Sequence, residues 1–289
     1  MSPLGIQSVG LTEAQFKQIS RLVKDLCGIN LHGGKKQLVR ARLARRLRQL
    51  GIPTFKQYLD YVRREGGGDE LTAMLDALST NKTSFFREPA HFDYLVETIV
   101  PRLLDRDKKN RRLRVWSAGC SSGEEPYTIA IYLFEAVPDL ENRDAKILAT
   151  DISTKALEAA REGIYNKHRL GDVPGLMRSK YFTCIEARPE RHYQVKDRLR
   201  ELVRFARLNL MDPWPMRGPF EVIFCRNVMI YFDKPTQAEL IERFFDILAP
   251  GGTLFIGHSE SLTGISHRFR YIEPTVYEKP SAALGEKVA

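Results

Sequence analysis

The chain has 289 residues, 43% of them hydrophobic and 28% charged, which is typical of a globular protein with room for two domains. No apolar run approaches the roughly 18 residues of a membrane span, and the start has no signal-peptide pattern, so we expect a cytoplasmic protein without membrane insertion. Four cysteines and six histidines lie scattered, without the spacing of a disulfide framework or a metal site. We therefore predict reduced thiols and no metal.

Positive charge is concentrated toward the beginning of the chain. The formal net charge is +9, and residues 1–80 hold 13 Lys or Arg against 7 Asp or Glu. This clustering predicts an acidic partner. Apolar residues at helical spacing predict short helices through 11–80, the first of them capped by Thr12.

A basic helix is predicted at 35–50. An apolar stripe runs along it at i, i+4, i+8 and i+11, and the segment carries seven cations and no acid. Beside the stripe lie Arg42, Arg45 and Arg48. We interpret the helix as a binding surface for nucleic acid or for an acidic protein helix, and the alternative is a solvated helix face.

The segment 79–88 has a linker's position but not a linker's composition. It places Asn81, Thr83 and Arg87 around the aromatic pair Phe85 and Phe86. We predict that this segment lines a functional site, and the alternative is a hinge with buried phenylalanines.

The sequence LRVWSAGCSSGEEPY at 113–127 predicts a strand, a tight turn and a helix. Small residues between Gly119 and Gly123 let the backbone approach a ligand closely. Glu124 and Glu125 stand in the helix's first turn, where they would repel a phosphate and favour a cationic group. The pattern fits a nucleotide-like ligand with positive charge at one end, such as S-adenosylmethionine (SAM). A structural turn without a ligand is the alternative.

From this point strands and helices alternate, which predicts a parallel, doubly wound sheet. The second strand ends at Asp151, which is placed to bind ribose hydroxyls or, alternatively, to cap the next helix. The third strand ends at Asn209 and Leu210, which could meet an adenine. After the strand at 219–225, Asn227 and Tyr231 are placed to reach the site.

Two further features complete the α/β part. Residues 163–201 interrupt the alternation, so we predict a small inserted subdomain of antiparallel strands. This subdomain is either a patch that docks a partner or an insertion without a binding role. Beyond the helix at 235–248, we predict that Pro250-Gly-Gly252 ends that helix, that strands lie at 253–257 and 268–278, and that the tail at 279–289 is disordered. Met229 and Ile230 are predicted core residues, and His258 is a predicted structural histidine.

Five stretches of the chain together resemble the bacterial chemotaxis receptor methyltransferases of the CheR type. They are NKTSFFRE at 81–88, WSAGCSSGEEPY at 116–127, ATD at 149–151, CRNVMIYFD at 225–233 and GHSES at 257–261. The resemblance implies a Rossmann-like, doubly wound α/β methyltransferase domain at 96–289 with a small antiparallel β insertion at about 163–201. It also implies an all-helical N-terminal domain at 1–78 and a linker at 79–95 that contributes to the site.

The resemblance implies SAM-dependent methylation of glutamate carboxylates on chemoreceptor cytoplasmic helices, with S-adenosylhomocysteine (SAH) as product. Arg87 and Tyr231 would lie nearest the chemistry. The implied receptor-binding residues are Arg42, Arg45 and Arg48. The implied cofactor-binding residues are Asn81, Thr83, Arg87, Gly119, Glu125, Asp151, Asn209, Leu210, Arg226 and Asn227.

Two alternative functions stay open at this point. A nucleic-acid methyltransferase would account for the pI of 9.4, although we predict no nucleic-acid partner. A non-catalytic receptor adaptor that senses the cofactor would keep the same fold. Docking of a receptor C-terminal peptide on the insertion is also open, because 186–191 lacks the glycines expected of members that bind one.

Overall fold

The computed structural model describes residues 10–64, 68–106, 112–186 and 190–281. They form two compact units, Met1–Thr80 with Tyr231–Asp233 and Asn81–Ile230 with Lys234–Ala289. Within the described ranges, no helix is both long and apolar enough to cross a membrane. Most of the predicted disordered tail at 279–289 lies outside those ranges.

The first unit is helical, as predicted. Its four helices are α1 (Glu13–Cys27), α2 (Lys36–Leu50), α3 (Phe55–Arg64) and α4 (Asp69–Leu78). Thr12 caps α1, because its hydroxyl accepts from the Gln15 N–H at 3.2 Å while the Gln15 side chain accepts from the Thr12 N–H at 2.9 Å.

A buried polar network joins three of these helices. Glu70 of α4 is only 4% exposed and forms an ion pair with Arg46 of α2. The Tyr58 hydroxyl of α3 donates to the same carboxylate at 2.7 Å. Burial, together with this bond to Glu70, raises the Tyr58 pKa well above its usual range. The charge of Glu70 is therefore balanced inside the unit and fixes α2, α3 and α4 against one another.

The second unit contains two sheets and seven helices within the described ranges. The strands are β1 (Leu113–Ala118), β2 (Ala145–Asp151), β3 (Ile164–Asn166), β4 (Phe182–Glu186), β5 (His192–Val195), β6 (Val203–Arg207), β7 (Phe220–Cys225), β8 (Leu248–Ile256), β9 (Arg270–Glu273) and β10 (Val276–Glu278). The helices are α5 (Ala90–Tyr94), α6 (Val100–Arg106), α7 (Glu124–Ala136), α8 (Thr154–Glu162), α9 (Gly175–Tyr181), α10 (Asp197–Leu202) and α11 (Lys234–Ile247), with a π-helical turn at Leu95–Ile99.

The main sheet has the strand order β6-β2-β1-β7-β8-β10-β9. The first five of these strands run parallel, and β10 pairs antiparallel with both β8 and β9. The chain winds outward in one direction from β1 through β2 to β6, and in the other through β7 to β8. A crevice forms where the winding direction reverses, so the carboxyl ends of β1, β2 and β7 mark the expected ligand site.

The predicted insertion is a separate three-stranded antiparallel sheet of order β3-β5-β4. It confirms the small antiparallel subdomain that the sequence indicated after α8. Residues 187–189 in its middle lie outside the described ranges.

Three local predictions were wrong. The strand β8 begins at Leu248 and runs through Pro250-Gly-Gly252, because Gly251 and Gly252 pair with the Lys279 backbone through two 2.8 Å hydrogen bonds. The single strand predicted at 268–278 is a hairpin of β9 and β10. Ile230 is 47% exposed rather than part of the core, whereas Met229 is buried.

Candidate active site

The loop between β1 and α7 crosses the end of β2. The N–H groups of Gly119 and Cys120 both donate to the Thr150 carbonyl, at 2.8 and 2.9 Å. Gly119 has a φ of 89°, and a Cβ there would lie 2.3 Å from Val228 Cγ2. Only glycine therefore fits at this position, and the loop backbone lies directly against the chain that follows β7.

Asp151 lies under this loop and is 8% exposed. Its Oδ2 accepts from the Ser121 N–H at 2.8 Å, and its Oδ1 accepts from the Ser153 N–H at 2.9 Å. The N-cap of α8 is Ser153, whose hydroxyl accepts from Ala156, so Asp151 is not the cap proposed as its alternative role. Since each carboxylate oxygen can accept two hydrogen bonds, ligand hydroxyls can bind the same group.

The two acids at the start of α7 have different partners. Glu125 accepts from the Ser117 hydroxyl at 2.7 Å and pairs with Arg226 at 3.2 Å. Burial raises the Glu125 pKa above its usual range, although Arg226 and Ser117 oppose the shift. Glu124 is fully buried and forms an ion pair with Arg169 of the insertion. Glu125 therefore faces the carboxyl end of β7, and Glu124 faces away from it.

Arg226 connects the segment 81–88 to the sheet. Its buried guanidinium donates to the Arg87 carbonyl and to Glu88 Oε2, the latter from Nη2 at 3.0 Å and from Nε at 3.3 Å. Burial would raise the Glu88 pKa, but the charge and hydrogen bonds of Arg226, together with His258, lower it below its usual range. The buried guanidinium of Arg226 thus holds two partly buried carboxylates, those of Glu88 and Glu125, around one cation.

The segment 81–88 packs on the glycine loop, the turn at 119–123 between β1 and α7. That this segment lines a functional site stays a prediction. The Ser121 hydroxyl donates to the Asn81 carbonyl at 3.1 Å, and the Phe86 N–H donates to the Thr128 hydroxyl at 3.2 Å. Phe85 is fully buried. The Arg87 guanidinium is partly exposed and donates to the Lys82 carbonyl at 3.1 Å. Thr83 is partly buried.

The residues after β6 lie at the same sheet edge. The Leu208 N–H donates to the Asp151 carbonyl at 3.0 Å, which places the following residues beside the end of β2. The Asn209 side chain accepts from the Met211 N–H and donates to Asp212, and Leu210 is buried. The structure therefore brings Asn209 and Leu210 to the edge that holds Asp151.

Glu260, for which no individual role was predicted, organises the turn after β7. Its buried carboxylate accepts from the N–H groups of Gly257, Asn227 and Ile230, at 2.6, 2.9 and 3.1 Å. Burial nevertheless raises its pKa. Asn227 has a φ of 59°, a strained conformation that these bonds hold in place. The GHSES motif at 257–261 contains Glu260 and was the available signal.

Glu88, His91 and His258 lie close enough to offer ligand atoms within 4.8 Å of one another. A 2.7 Å hydrogen bond joins His91 Nε2 and the Thr275 hydroxyl, which also lies within hydrogen-bond distance of the Pro274 carbonyl. Burial and Arg226 lower the His91 pKa to about 3, which keeps the ring neutral. Glu88 Oε2 already accepts two N–H groups of Arg226, so we interpret the cluster as support for that ion pair. The predicted absence of a metal stays a prediction.

Tyr231 belongs to the first unit. Its carbonyl accepts from the Asn30 N–H at 2.7 Å, and the Lys35 ammonium lies 5.1 Å from the centre of its ring. Its catalytic role stays a prediction.

Three cations of the basic helix α2 form ion pairs or hydrogen bonds within the first unit, and the binding role of the helix stays a prediction. Lys36 pairs with Glu13 at 2.8 Å, and Arg46 pairs with Glu70. Arg42 donates to the Leu78 and Ser79 carbonyls, at 2.7 and 2.9 Å, and so caps the end of α4. The exposed cations of α2 are Arg40, Arg45 and Arg48.

Fold and site together define a class of protein. A doubly wound sheet, a glycine loop followed by acids, and a carboxylate at the end of β2 are those of a SAM-dependent methyltransferase. The CheR methyltransferase SAM binding domain matches residues 81–278, and the CheR methyltransferase all-alpha domain matches residues 14–79. The chain belongs to the CheR methyltransferase family, which confirms the predicted family, fold class and cofactor.

Relatives in several bacteria align along almost the whole chain. A "Probable chemotaxis protein methyltransferase" of Rhizobium etli is 43% identical over 261 residues, covering 90% of this chain and 97% of the relative. A "Chemotaxis protein methyltransferase" of Borreliella burgdorferi is 41% identical, covering 94% of this chain and 96% of the relative. A "Chemotaxis protein methyltransferase" of Escherichia coli is 39% identical, covering 94% of this chain and 92% of the relative.

Proposed function

We propose that this protein transfers the methyl group of SAM to glutamate side chains on chemoreceptor cytoplasmic helices, giving glutamate methyl esters and SAH. The match of the CheR SAM binding domain to residues 81–278, which contain the whole Arg226 and Asp151 arrangement, carries the proposal. The names of the relatives favour a chemoreceptor over a nucleic acid as substrate.

The residues of the second unit suit this cofactor chemically. Asp151 would accept from ribose hydroxyls, and Asn209 with Leu210 would bind the adenine. Glu125, in the first turn of α7, offers negative charge to the amino-acid end, where a phosphate would be repelled. The remaining proposed contacts come from the glycine loop, the segment 81–88 and the turn after β7: Gly119, Asn81, Thr83, Arg87, Arg226 and Asn227.

The chemistry needs no general base. A glutamate has a reference pKa of about 4.3, so its carboxylate is already ionised and nucleophilic at neutral pH. Bound SAM supplies an activated methyl group on a sulfonium. The protein must align the carboxylate with that group, and such positioning can supply roughly 7–11 kcal/mol. Opposite charges neutralise during the transfer, so exclusion of water also favours it.

Arg87 and Tyr231 have the proposed roles nearest the reacting atoms. Arg87 would orient the incoming carboxylate, and Tyr231 would donate a hydrogen bond near the methyl group or the carboxylate. The Arg87 guanidinium is 38% exposed and lies 3.8 Å from Glu88, so its pairing there is loose. It can therefore turn toward a substrate without first breaking a buried ion pair.

Transfer of labelled methyl from SAM to a receptor cytoplasmic fragment tests the proposal. We expect incorporation at glutamates by the unmodified protein, and at least a tenfold lower kcat/KM for Arg87→Ala, because the carboxylate loses its orienting cation. Arg87→Lys should be intermediate. Lys155→Ala, an exposed change on α8, is the control and should leave the rate unchanged.

Binding of SAM without transfer to any receptor fragment would favour the adaptor alternative and overturn the proposed activity. Full turnover by Arg87→Ala with unchanged receptor affinity would overturn the role of Arg87 alone.

We propose that the exposed face of α2 binds the acidic methylation helices of the receptor. Among the three predicted arginines, Arg42 is engaged with the end of α4, so Arg45 and Arg48 supply the exposed charge. Arg45→Glu should raise the KM for the receptor about tenfold without changing kcat, and should weaken the dependence of KM on salt. Arg63→Glu, an exposed change on α3, is the matched control. An unchanged KM for Arg45→Glu at every salt concentration would contradict this surface.

The insertion offers a second candidate contact with the receptor. Strand β4 lies at the edge of the three-stranded sheet, so its outer backbone groups can pair with an extended peptide. We therefore keep a receptor C-terminal peptide as a proposed ligand of this edge, although the segment 186–191 lacks the expected glycines.

A further inference from the structure

Besides its edge strand β4, the insertion has a side that contacts the glycine loop. Tyr165 of β3 is 1% exposed, and its hydroxyl donates to the Ser122 carbonyl at 2.7 Å. Its ring lies edge-on to Phe85 with centroids 4.9 Å apart. One side chain of the insertion therefore touches both the glycine loop and the segment 81–88.

Arg169 reaches the same loop from the turn after β3. Its Nη2 donates to the Ser122 hydroxyl at 2.6 Å and forms an ion pair with the fully buried Glu124. The Ser122 hydroxyl in turn donates to Glu124 at 2.9 Å. The Arg169 guanidinium also lies 5.2 Å from the centre of the Tyr165 ring. The Asn166 side chain accepts from the Arg169 N–H at 3.0 Å and fixes the turn.

Ser122 is the point of the loop at which these contacts matter most. Its neighbours Ser121 and Gly123 both have positive φ values, of 51° and 96°. For a residue with a side chain, such as Ser121, this conformation persists only where its surroundings hold it in place. Ser121 is held by Asp151 from within the main domain. Ser122, in contrast, is held through its carbonyl and its hydroxyl by two residues of the insertion.

We propose that Arg169, supported by Tyr165, is a positioning residue that holds the loop 119–124 in its cofactor-binding conformation. The insertion is then part of the cofactor site as well as a candidate docking platform. The inference rests on the proposed function, because it assumes that this loop contacts SAM. Arg169 acts on the loop through Ser122 and Glu124, so it needs no contact of its own with the cofactor.

Calorimetric titration of the full chain with SAH tests the inference. Arg169→Ala should weaken SAH binding at least tenfold and raise the KM for SAM, while kcat at saturating SAM stays near that of the unmodified protein. Arg169→Lys, which keeps the charge but not the planar fork, should lose about threefold. Arg178→Ala is the control, because Arg178 also lies in the insertion but packs over Tyr193. The SAH affinity of Arg178→Ala should be unchanged.

Hydrogen exchange of the peptide covering 118–125 measures the loop without any cofactor. We expect faster exchange in Arg169→Ala than in Arg178→Ala. If Arg169→Ala does not fold, Tyr165→Phe replaces it, since this variant removes only the bond to the Ser122 carbonyl. It should weaken SAH binding about threefold and speed the exchange of the loop peptide about threefold. A folded Arg169→Ala with SAH affinity and loop exchange both unchanged would overturn the inference. Failure of the unmodified protein to bind SAH would count against the proposed function, while the exchange comparison would still decide the role of Arg169.

Discussion

Alanine in place of Asp151 is expected to weaken SAH and SAM binding by about a hundredfold or more. A hydrogen bond to a charged group contributes about 1.5–3 kcal/mol, and a carboxylate that binds two ribose hydroxyls loses both bonds on truncation. Each 1.4 kcal/mol corresponds to about a tenfold change in affinity. The same change also releases the Ser121 N–H from its 2.8 Å bond, which loosens the glycine loop.

Calorimetry on the full chain measures this effect. Asp144→Ala is a matched control, because Asp144 immediately precedes β2, at the opposite end of the strand from Asp151, and pairs with Arg114 at 2.6 Å. It should leave SAH affinity unchanged. SAH affinity within threefold of the unmodified protein in a folded Asp151→Ala would remove Asp151 from the proposed cofactor site.

The position of Asp151 could be predicted because it follows from local sequence and general topology. A buried strand that ends in an acid is visible in the sequence. The parallel sheet then brings the ends of β1, β2 and β7 to one crevice. The glycine loop was predictable for the same reason, since its small residues and the acids that follow it are contiguous. Neither inference needed knowledge of a distant contact.

The partners of Arg226 could not be predicted in this way. Glu88 is 138 residues away in sequence and Glu125 is 101 residues away, and only tertiary packing brings the three together. Arg226 was singled out through the resemblance alone, and Glu88 was given no role. The ion pair between Arg169 and Glu124 was not predicted, for the same reason.

The basic helix α2 shows the same limit for charge patterns. The sequence 35–50 contains no acid, so all seven of its cations pointed to one exposed surface. The acids that neutralise Lys36 and Arg46 come from α1 and α4. A charge count within one helix therefore overestimates its free surface charge, because ion pairs between helices do not appear in it.

Methionine in place of Arg226 is expected to reduce the stability of the second unit by about 3–5 kcal/mol at pH 7, since removing one partner of a buried ion pair leaves uncompensated charge. Here two carboxylates, Glu88 and Glu125, would lose the same cation. Thermal unfolding at several pH values measures the effect. Glu88→Gln in the Arg226→Met background should recover part of the lost stability, because it removes one of the two uncompensated negative charges.

The pH dependence separates lost charge pairing from lost packing. Without Arg226, burial raises the pKa of both carboxyls in the folded state, so the folded variant binds protons that the unfolded chain does not. Its stability deficit should therefore shrink as the pH falls from 7 toward 5. Arg268→Met is the matched control, since Arg268 also pairs with two acids, Glu242 and Asp246, but at an exposed position. Solvent screens that pair, so the control should lose little stability at any pH. A deficit for Arg226→Met that is the same at pH 5 and pH 7 would mean that Arg226 stabilises the site by packing rather than by balancing Glu88 and Glu125.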